Sequence, residues 1–536
     1  MSAPDAPDRG ALRPLPRVGA SSARLGMLSV VGLATGLLRE SAIAYRFGLS
    51  PAYDAFLLAS LPFDLFSAIA AIQMAAVQRS LSAREHSVGR GNAYAFWSAL
   101  TRRLGVSFLA LGVACALLGR VVLSLGLKSL GHDQRHEIVT LLVLMIPAPA
   151  LGAWMALQSA ALNAEHRFLA LPITGILLNV ITATAAVTLG SLLGPRALVL
   201  GTVVGLVTGI TIQYWLFRRV GFVRERRIET EPGAAGDFFR ESRPLIGLAV
   251  LGRVYLGVER LLAAGLSAGT VSALAFASRF ATIPVAVLSA VGNPLFALLV
   301  GHAVRGNLQE FARAGERGMR LTLFVVTPVI LFLVLFAEPT VAVLLQRGSF
   351  GAADVPLTAS AVRAFAWGMF GWVGSDLAAR ILWARSRYWV TLQLAAAFML
   401  INAVAAVILR EVAGGLGLAT ARSIGFGCYL VLALVMVQRE CPDFRAWHVG
   451  RALVRQSVVA LGCGALLVLL FKRFGVVEAG FAFRLVALPA AGLAMGVLYV
   501  AIESLVLRSD EGLWMRRLVR DKLRIVATAL GRRSET

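Results

Sequence analysis

A chain of 536 residues with 58% hydrophobic and only 15% charged side chains, at a mean hydropathy of +0.76, lacks the charge of a soluble domain, which runs near 25%. The net charge of +23, from 52 Lys and Arg against 29 Asp and Glu, would suggest nucleic acid in a soluble protein. In a chain this apolar it reads as basic loops facing the cytoplasm, and no nucleic-acid partner is expected.

Residues Met1–Ala20 are rich in Pro, Arg and Gly and have no apolar core. They read as a cytoplasmic tail (1–21) without fixed structure, not as a cleaved signal peptide. Fourteen apolar spans follow, at roughly 22–47, 52–78, 104–126, 138–162, 168–189, 197–217, 244–266, 270–301, 321–345, 357–380, 389–409, 415–437, 456–471 and 485–507. Leu321–Phe336, Leu394–Leu409 and Ser457–Phe471 run without a charge. About 20 apolar residues cover a bilayer core as a helix, and tilt absorbs the longer blocks. The spans leave no room for an ordinary soluble domain. The expected fold is an all-α polytopic membrane protein.

Loop charge orients the spans. With the N-terminus inside, the even-numbered loops carry about 24 Lys and Arg and the odd-numbered loops about 8. Short basic loops stay in the cytoplasm, so both termini are expected inside, in a multi-pass protein of the bacterial inner membrane. The basic tail 508–536 fits the same side.

The four cysteines, Cys115, Cys428, Cys441 and Cys463, have no CxxC spacing, and neither a disulfide nor a zinc site is expected. The six histidines lie in or beside loops, and no metalloprotease, nucleophile-elbow or Walker pattern occurs. The expectation is a transporter without catalytic residues, metal or cofactor, energised by an ion or a voltage and not by ATP.

Short motifs recur at a near-constant lag. Gly48-Leu49-Ser50 precedes Asp54-Ala55-Phe56 as Gly265-Leu266-Ser267 precedes Ser272-Ala273-Leu274. Leu162-x-Ala164-x-x-Arg167-Phe168 matches Leu382-x-Ala384-x-x-Arg387-Tyr388. A duplicated six-helix unit accounts for both: lobes 22–217 and 244–437, joined by a basic loop 218–243, with two further helices in 438–507. Parallel repeats of this kind place substrate between the halves.

Charges within spans are costly and usually face a cavity or a partner. Arg39 and Glu40 lie in the first span, Asp54 and Asp64 in the second. Arg253, Glu259 and Arg260 lie in the seventh, Arg279 in the eighth, Arg363 and Asp376 in the tenth. Arg39–Glu40 and Glu259–Arg260 are chain neighbours about 100° apart on a helix, so neither pair is expected to satisfy itself fully. Asp54 has two readings, an ion pair with Arg39 or a cap on its own span. Arg279, nine residues past its loop, is too deep to snorkel easily. Arginine gives bidentate bonds to phosphate oxygens and stays charged when desolvated. Arg39, Arg260 and Arg279 would therefore form an anion site suited to a diphosphate, with Asp54 ordering them and Arg253, Glu40 and Glu259 as neighbours.

The segment GLLRESAIAYRFGLSPAYDAF (Gly36–Phe56) resembles the first-helix signature of the MurJ/MviN lipid II flippase family. SALAFASRFATIPVAVLSAVGNPLFALL resembles its eighth helix, and the stretch containing LLQRGSF its ninth and tenth. ALNAEHRF and LWARSRY resemble its turns after the fourth and tenth helices. The resemblance covers roughly 22–437. It implies fourteen helices in two lobes around a cationic cavity, with a lipid-tail groove by the last two. Arg39, Asp54 and Arg279 match family positions. Leu33 stands in place of a family arginine and Ser278 in place of an aspartate, and Leu61-Pro62-Phe63-Asp64-Leu65-Phe66 lacks the family's second-helix arginines. The implied function is flipping an undecaprenyl-diphosphate-linked saccharide, lipid II by resemblance, from inner to outer leaflet by alternating access. Membrane lipids and cell-envelope glycosyltransferases are the implied partners. An exopolysaccharide or O-antigen unit is the alternative cargo. A cation-coupled drug exporter and a scaffold for an envelope synthase are the alternative classes.

Overall fold

In the computed structural model, which describes residues 18–87, 89–126, 131–165, 167–219, 234–474 and 480–531, the chain is helical and the described residues contain no strand. The helices are α1 (Val18–Phe47), α2 (Pro51–Ala59), α3 (Leu61–Ser87), α4 (Arg90–Gly126), α5 (His132–Leu144), α6 (Pro147–Ala164), α7 (Ala170–Leu193), α8 (Arg196–Arg219) and α9 (Ala234–Ala264). They continue as α10 (Thr270–Val304), α11 (Leu308–Leu335), α12 (Ala337–Leu345), α13 (Asp354–Ala384), α14 (Tyr388–Glu440), α15 (Ala446–Arg473) and α16 (Phe481–Ala501). After a π turn, Ile502–Val506, the last described element is α17 (Asp510–Gly531). α1 begins at Val18, inside the stretch read as a tail, whose residues 1–17 lie outside the described ones. Of the expected loop 218–243, residues 220–233 also lie outside them.

Every expected span falls on a helix or on two successive ones. Among the described residues, nine segments are long and apolar enough to cross a membrane. Their outward side chains are apolar: Leu192 is 81% exposed, Val412 80% and Leu493 73%. Lipid is the solvent such a surface needs.

Breaks inside the expected spans have local causes. Pro62 has no N–H to continue the ladder from α2 into α3, and Pro147 opens α6 at a first-turn position where its missing N–H costs nothing. α14 is interrupted at Gly414 (φ 53°, ψ −128°). There the chain folds back, so that Phe398 before the break stacks on Phe426 after it at 4.6 Å. Gly194 ends α7 at φ 56°, ψ −141°, the same glycine-only conformation 220 residues earlier.

That lag runs through the packing. In the first half α1 packs on α7, α3 on α4 and α6, and α6 on α4 and α8. In the second half α9 packs on α14, α10 on α11 and α13, and α13 on α11 and α14. The turn after α6 is closed by Arg167 N–H donating to Leu162 O at 2.8 Å, and the turn after α13 by Arg387 N–H donating to Leu382 O at 2.9 Å. The fold is thus two parallel pseudo-repeats.

α15 and α16 pack beside α11, where Phe324 meets Tyr499 at 4.9 Å over buried Cys463 and Met495. The basic tail is itself a helix. Arg455 of α15 and Arg320 of α11 bind Glu511 at its start, at 2.7 and 2.9 Å, and Arg455 also reaches Glu503 at 3.4 Å.

Candidate functional site

Arg39 and Glu40 of α1, Asp54 of α2, Asp64 of α3, Arg260 of α9 and Arg279 of α10 lie where the two repeats touch. α1 carries Arg39 and Glu40 about 12 Å from its C-terminal end, and α10 carries Arg279 about 13 Å from its N-terminal end, by the helical rise. Antiparallel entry from the same end brings them to one depth. Glu40, 4% exposed, accepts from Arg39 Nη2 at 2.6 Å and forms an ion pair with Arg279, whose Nε lies 3.2 Å from the same oxygen. Arg39 Nη1 also donates to Asn179 Oδ1 on α7 at 3.0 Å. Arg39 and Glu40 therefore do pair, because a long guanidinium arm swings back along the helix. Each still needs a second partner, and Glu40 finds its own on the opposite repeat. Arg279 stays 47% exposed on its side chain, facing open space and not the packed core.

Arg260 does not join this pair as a free fork. Its Nη1 donates to Leu57 O at 2.8 Å, Asp64 Oδ2 at 3.0 Å and Ser60 Oγ at 3.3 Å. The break between α2 and α3 frees the Leu57 carbonyl, and a buried carbonyl must find a donor. Arg260 is thus a clamp between α9 and that break. Glu259, the preceding residue, turns into its own repeat. Both its carboxylate oxygens are held by Arg422 of α14, with Arg422 Nε donating to Oε2 at 2.8 Å and Nη2 to Oε1. Glu259 therefore does not line the space beside Arg279. Arg253 is exposed on α9, and no ion pair reaches it among the described residues.

Asp54 does not order the arginines, nor does it cap its own helix; Ser50 does that, accepting from Tyr53 N–H at 3.3 Å. Asp54 caps α10 across the interface. Oδ2 accepts from Gly269 N–H at 2.7 Å, and Oδ1 from Ser272 N–H at 2.8 Å and from the Ser272 hydroxyl. The reason is local: the N-cap of α10 is Gly269, with no side chain to satisfy the first N–H groups. Its neighbours complete a seal. Ser349 N–H donates to Tyr45 O at 2.8 Å, the Ser349 hydroxyl to Arg46 O at 3.1 Å, and the Ser41 hydroxyl to Leu344 O at 2.8 Å. Gly48 (φ 55°) sits so close that a Cβ would run into the Ser349 carbonyl. The end bearing the odd-numbered loops is shut.

The remaining span charges are local. Asp376 binds Arg380 one turn on at 2.7 Å, and Arg363 reaches Glu338 at 3.4 Å. Sequence reasoning missed Asn179 and Arg422. The signal for Arg422 was present, an arginine seven residues inside an apolar block; nothing marked Asn179, one amide among polar residues of α7.

A family model described as "Lipid II flippase MurJ" matches residues 43–487. The chain belongs to the lipid II flippase MurJ family. The Lipid II flippase MurJ of Burkholderia cenocepacia is 27% identical over 410 residues, covering 74% of this chain and 78% of that one. The "Probable lipid II flippase MurJ" of Rhizobium tropici is 24% identical over 427 residues, covering 77% and 79%. Among solved structures, "Lipid II flippase MurJ, inward closed conformation" superposes with a TM-score of 0.73 at 17% identity, over 90% of this chain and 99% of that one. An inward-facing MATE-family multidrug transporter gives 0.66 at 14% identity, over 78% and 98%. These two establish a shared fold. The MurJ relatives are named as flippases, which are transporters and not enzymes. Membership and the apolar helices make the chain a multi-pass protein of the bacterial inner membrane.

Proposed function

We propose that this protein flips lipid II, an undecaprenyl-diphosphate-linked saccharide, from the inner to the outer leaflet by alternating access. The observation that carries the reading is Glu40 held between Arg39 and Arg279, one arginine from each repeat. Glu40, itself buried, compensates both guanidiniums, and a carboxylate left there without them is expensive. A diphosphate offers the same oxygens with more charge and in bidentate geometry. It displaces Glu40 as the arginines' partner, so binding changes a contact that joins the two repeats. With Arg260 and Asp64 included, three arginines face two carboxylates, a net positive charge suited to an anion.

The seal around Asp54, Gly48 and Ser349 lies at the end that loop charge assigns to the periplasm. In the proposed topology of fourteen crossings with both termini cytoplasmic, the structure is closed outward. The repeats 22–217 and 244–437 are the moving bodies, helices 13 and 14 flank them, and membrane lipids surround them. Glycosyltransferases that build and polymerise the saccharide are the partners this role calls for.

Complementation of a strain depleted of its lipid II flippase tests the proposal. The wild type restores growth, whereas Arg39→Ala and Arg279→Ala, at equal protein level, do not. Rescue by both variants would refute the site. No rescue by well-expressed wild type would refute the cargo.

A further inference from the structure

A carboxylate buried in the membrane core needs a positive partner, and there are three kinds: a proton, a bound metal cation or a basic side chain. The first two exchange with solvent and can couple transport to an ion gradient. The third cannot leave. Glu259 has the third kind. Arg422 grips both carboxylate oxygens in fork geometry, and the side chains are only 5% and 4% exposed. The guanidinium is also held by two aromatic rings, one on the helix of Glu259 itself and one on a further helix. Its carbon lies 4.0 Å from the ring centre of Phe365 on α13 and 5.7 Å from that of Tyr255 on α9, within cation–π range. Arginine keeps its charge in such surroundings where lysine readily gives it up.

We infer that Arg422 is a built-in counter-cation of the second repeat, filling the space beside the Glu259 carboxylate, so that no exchangeable sodium ion or proton binds there during the conformational cycle. Among the other carboxylates within the spans, Glu40 has two arginines, Asp64 has Arg260, Glu338 has Arg363, Asp376 has Arg380 and Glu503 has Arg455. Asp54 instead meets the positive N-terminal end of α10 through two backbone N–H groups and a hydroxyl. The Glu259–Arg422 pair forms part of the wall of a small void, together with Leu256, Ala263, Leu274, Ser278 and Arg260, and Arg260 is itself engaged by Asp64 and the Leu57 carbonyl. Removal of the Arg422 guanidinium widens that void beside a carboxylate that has lost its partner, where a small cation such as sodium can enter. The inference goes beyond the flippase reading and does not depend on it.

The test uses purified full-length protein without substrate, followed by thermal unfolding in sodium chloride and in choline chloride at equal ionic strength. The wild type has the same midpoint in both salts. Arg422→Ala has a lower midpoint in choline and recovers part of the loss in sodium. The double variant Glu259→Gln/Arg422→Gln, which removes both charges, is more stable than Arg422→Ala in choline and is indifferent to the salt. Sodium-specific stabilisation of the wild type would overturn the inference. So would an Arg422→Ala protein as stable as the wild type, or a double variant no more stable than Arg422→Ala, since the loss would then be packing and not charge. Should Arg422→Ala not fold, the double variant decides alone: folded and salt-indifferent supports the inference, and unfolded overturns it.

Discussion

Asp54→Ala removes the cap that α2 lends to α10, and its cost can be worked from the contacts. Asp54 is 3% exposed and accepts from two backbone N–H groups and one hydroxyl. Loss of a cap costs about 0.5–2 kcal/mol, and a hydrogen bond to a charged group contributes about 1.5–3. The carboxylate also meets the positive end of the α10 dipole, worth up to about 2 kcal/mol where partly buried. These terms overlap, so a net loss of about 2–4 kcal/mol is reasonable. The contacts bridge the two repeats and exist only while this end is shut, so the loss falls on one state. At about 1.4 kcal/mol per tenfold, the closed-to-open ratio falls roughly 30-fold to 700-fold. Spin labels at Leu192 and Ala268, exposed positions of the two repeats, report the separation by double electron–electron resonance. A longer-distance population appears in Asp54→Ala and a smaller one in Asp54→Asn, whose single carbonyl oxygen still accepts. Identical distributions in wild type and Asp54→Ala would refute the latch.

Gly414→Ala places a side chain at φ 53° where nothing lies within 4 Å of the new Cβ, so its cost is purely conformational, about 1–3 kcal/mol. Gly194→Ala costs a similar amount for the same reason, and thermal unfolding of the two variants measures it; wild-type midpoints in both would contradict the shared hairpin geometry. Arg455→Ala leaves Glu503 and Glu511, 0% and 2% exposed, short of a cation at the start of α17. Arg455 is itself 37% exposed, so the loss is discounted for solvent screening to about 1–2 kcal/mol; faster tryptic cleavage at Arg516 and Arg517 is the expected readout, and an unchanged rate would contradict ionic docking of α17.

The fold was legible because it rests on signals that need no partner. Apolar length placed the helices, and the lag of 218–220 residues placed the repeat, which the twin turns at Leu162 and Leu382 and the twin glycines Gly194 and Gly414 carry into the backbone. The interruption at Met145 is marked in the sequence by Pro147 and Pro149, helix breakers within an apolar block, whereas hydropathy alone gives no sign of the one at Ser60. The helical tail α17 was missed because its composition is that of a basic loop.

The site was half legible. Depth within a span marked the residues that must have partners, and each one proved to be placed by that need except Arg253. What sequence could not supply was the partner, because a helix fixes only direction. Glu259 and Arg260 are adjacent, yet their 100° separation sends one into its own repeat toward Arg422 and the other across the interface to the break at Ser60. Asp54 went to a helix N-terminus that no charge count reveals, since its donors are backbone N–H groups and the deciding residue, Gly269, has no side chain at all. The division has a functional consequence. The same helix α9 is pinned inside its repeat by one residue and to the opposite repeat by the next, so a rigid shift that breaks the Arg260 clamp leaves Glu259–Arg422 intact. The second repeat can then move as one body, with Arg279 carried on it away from Glu40.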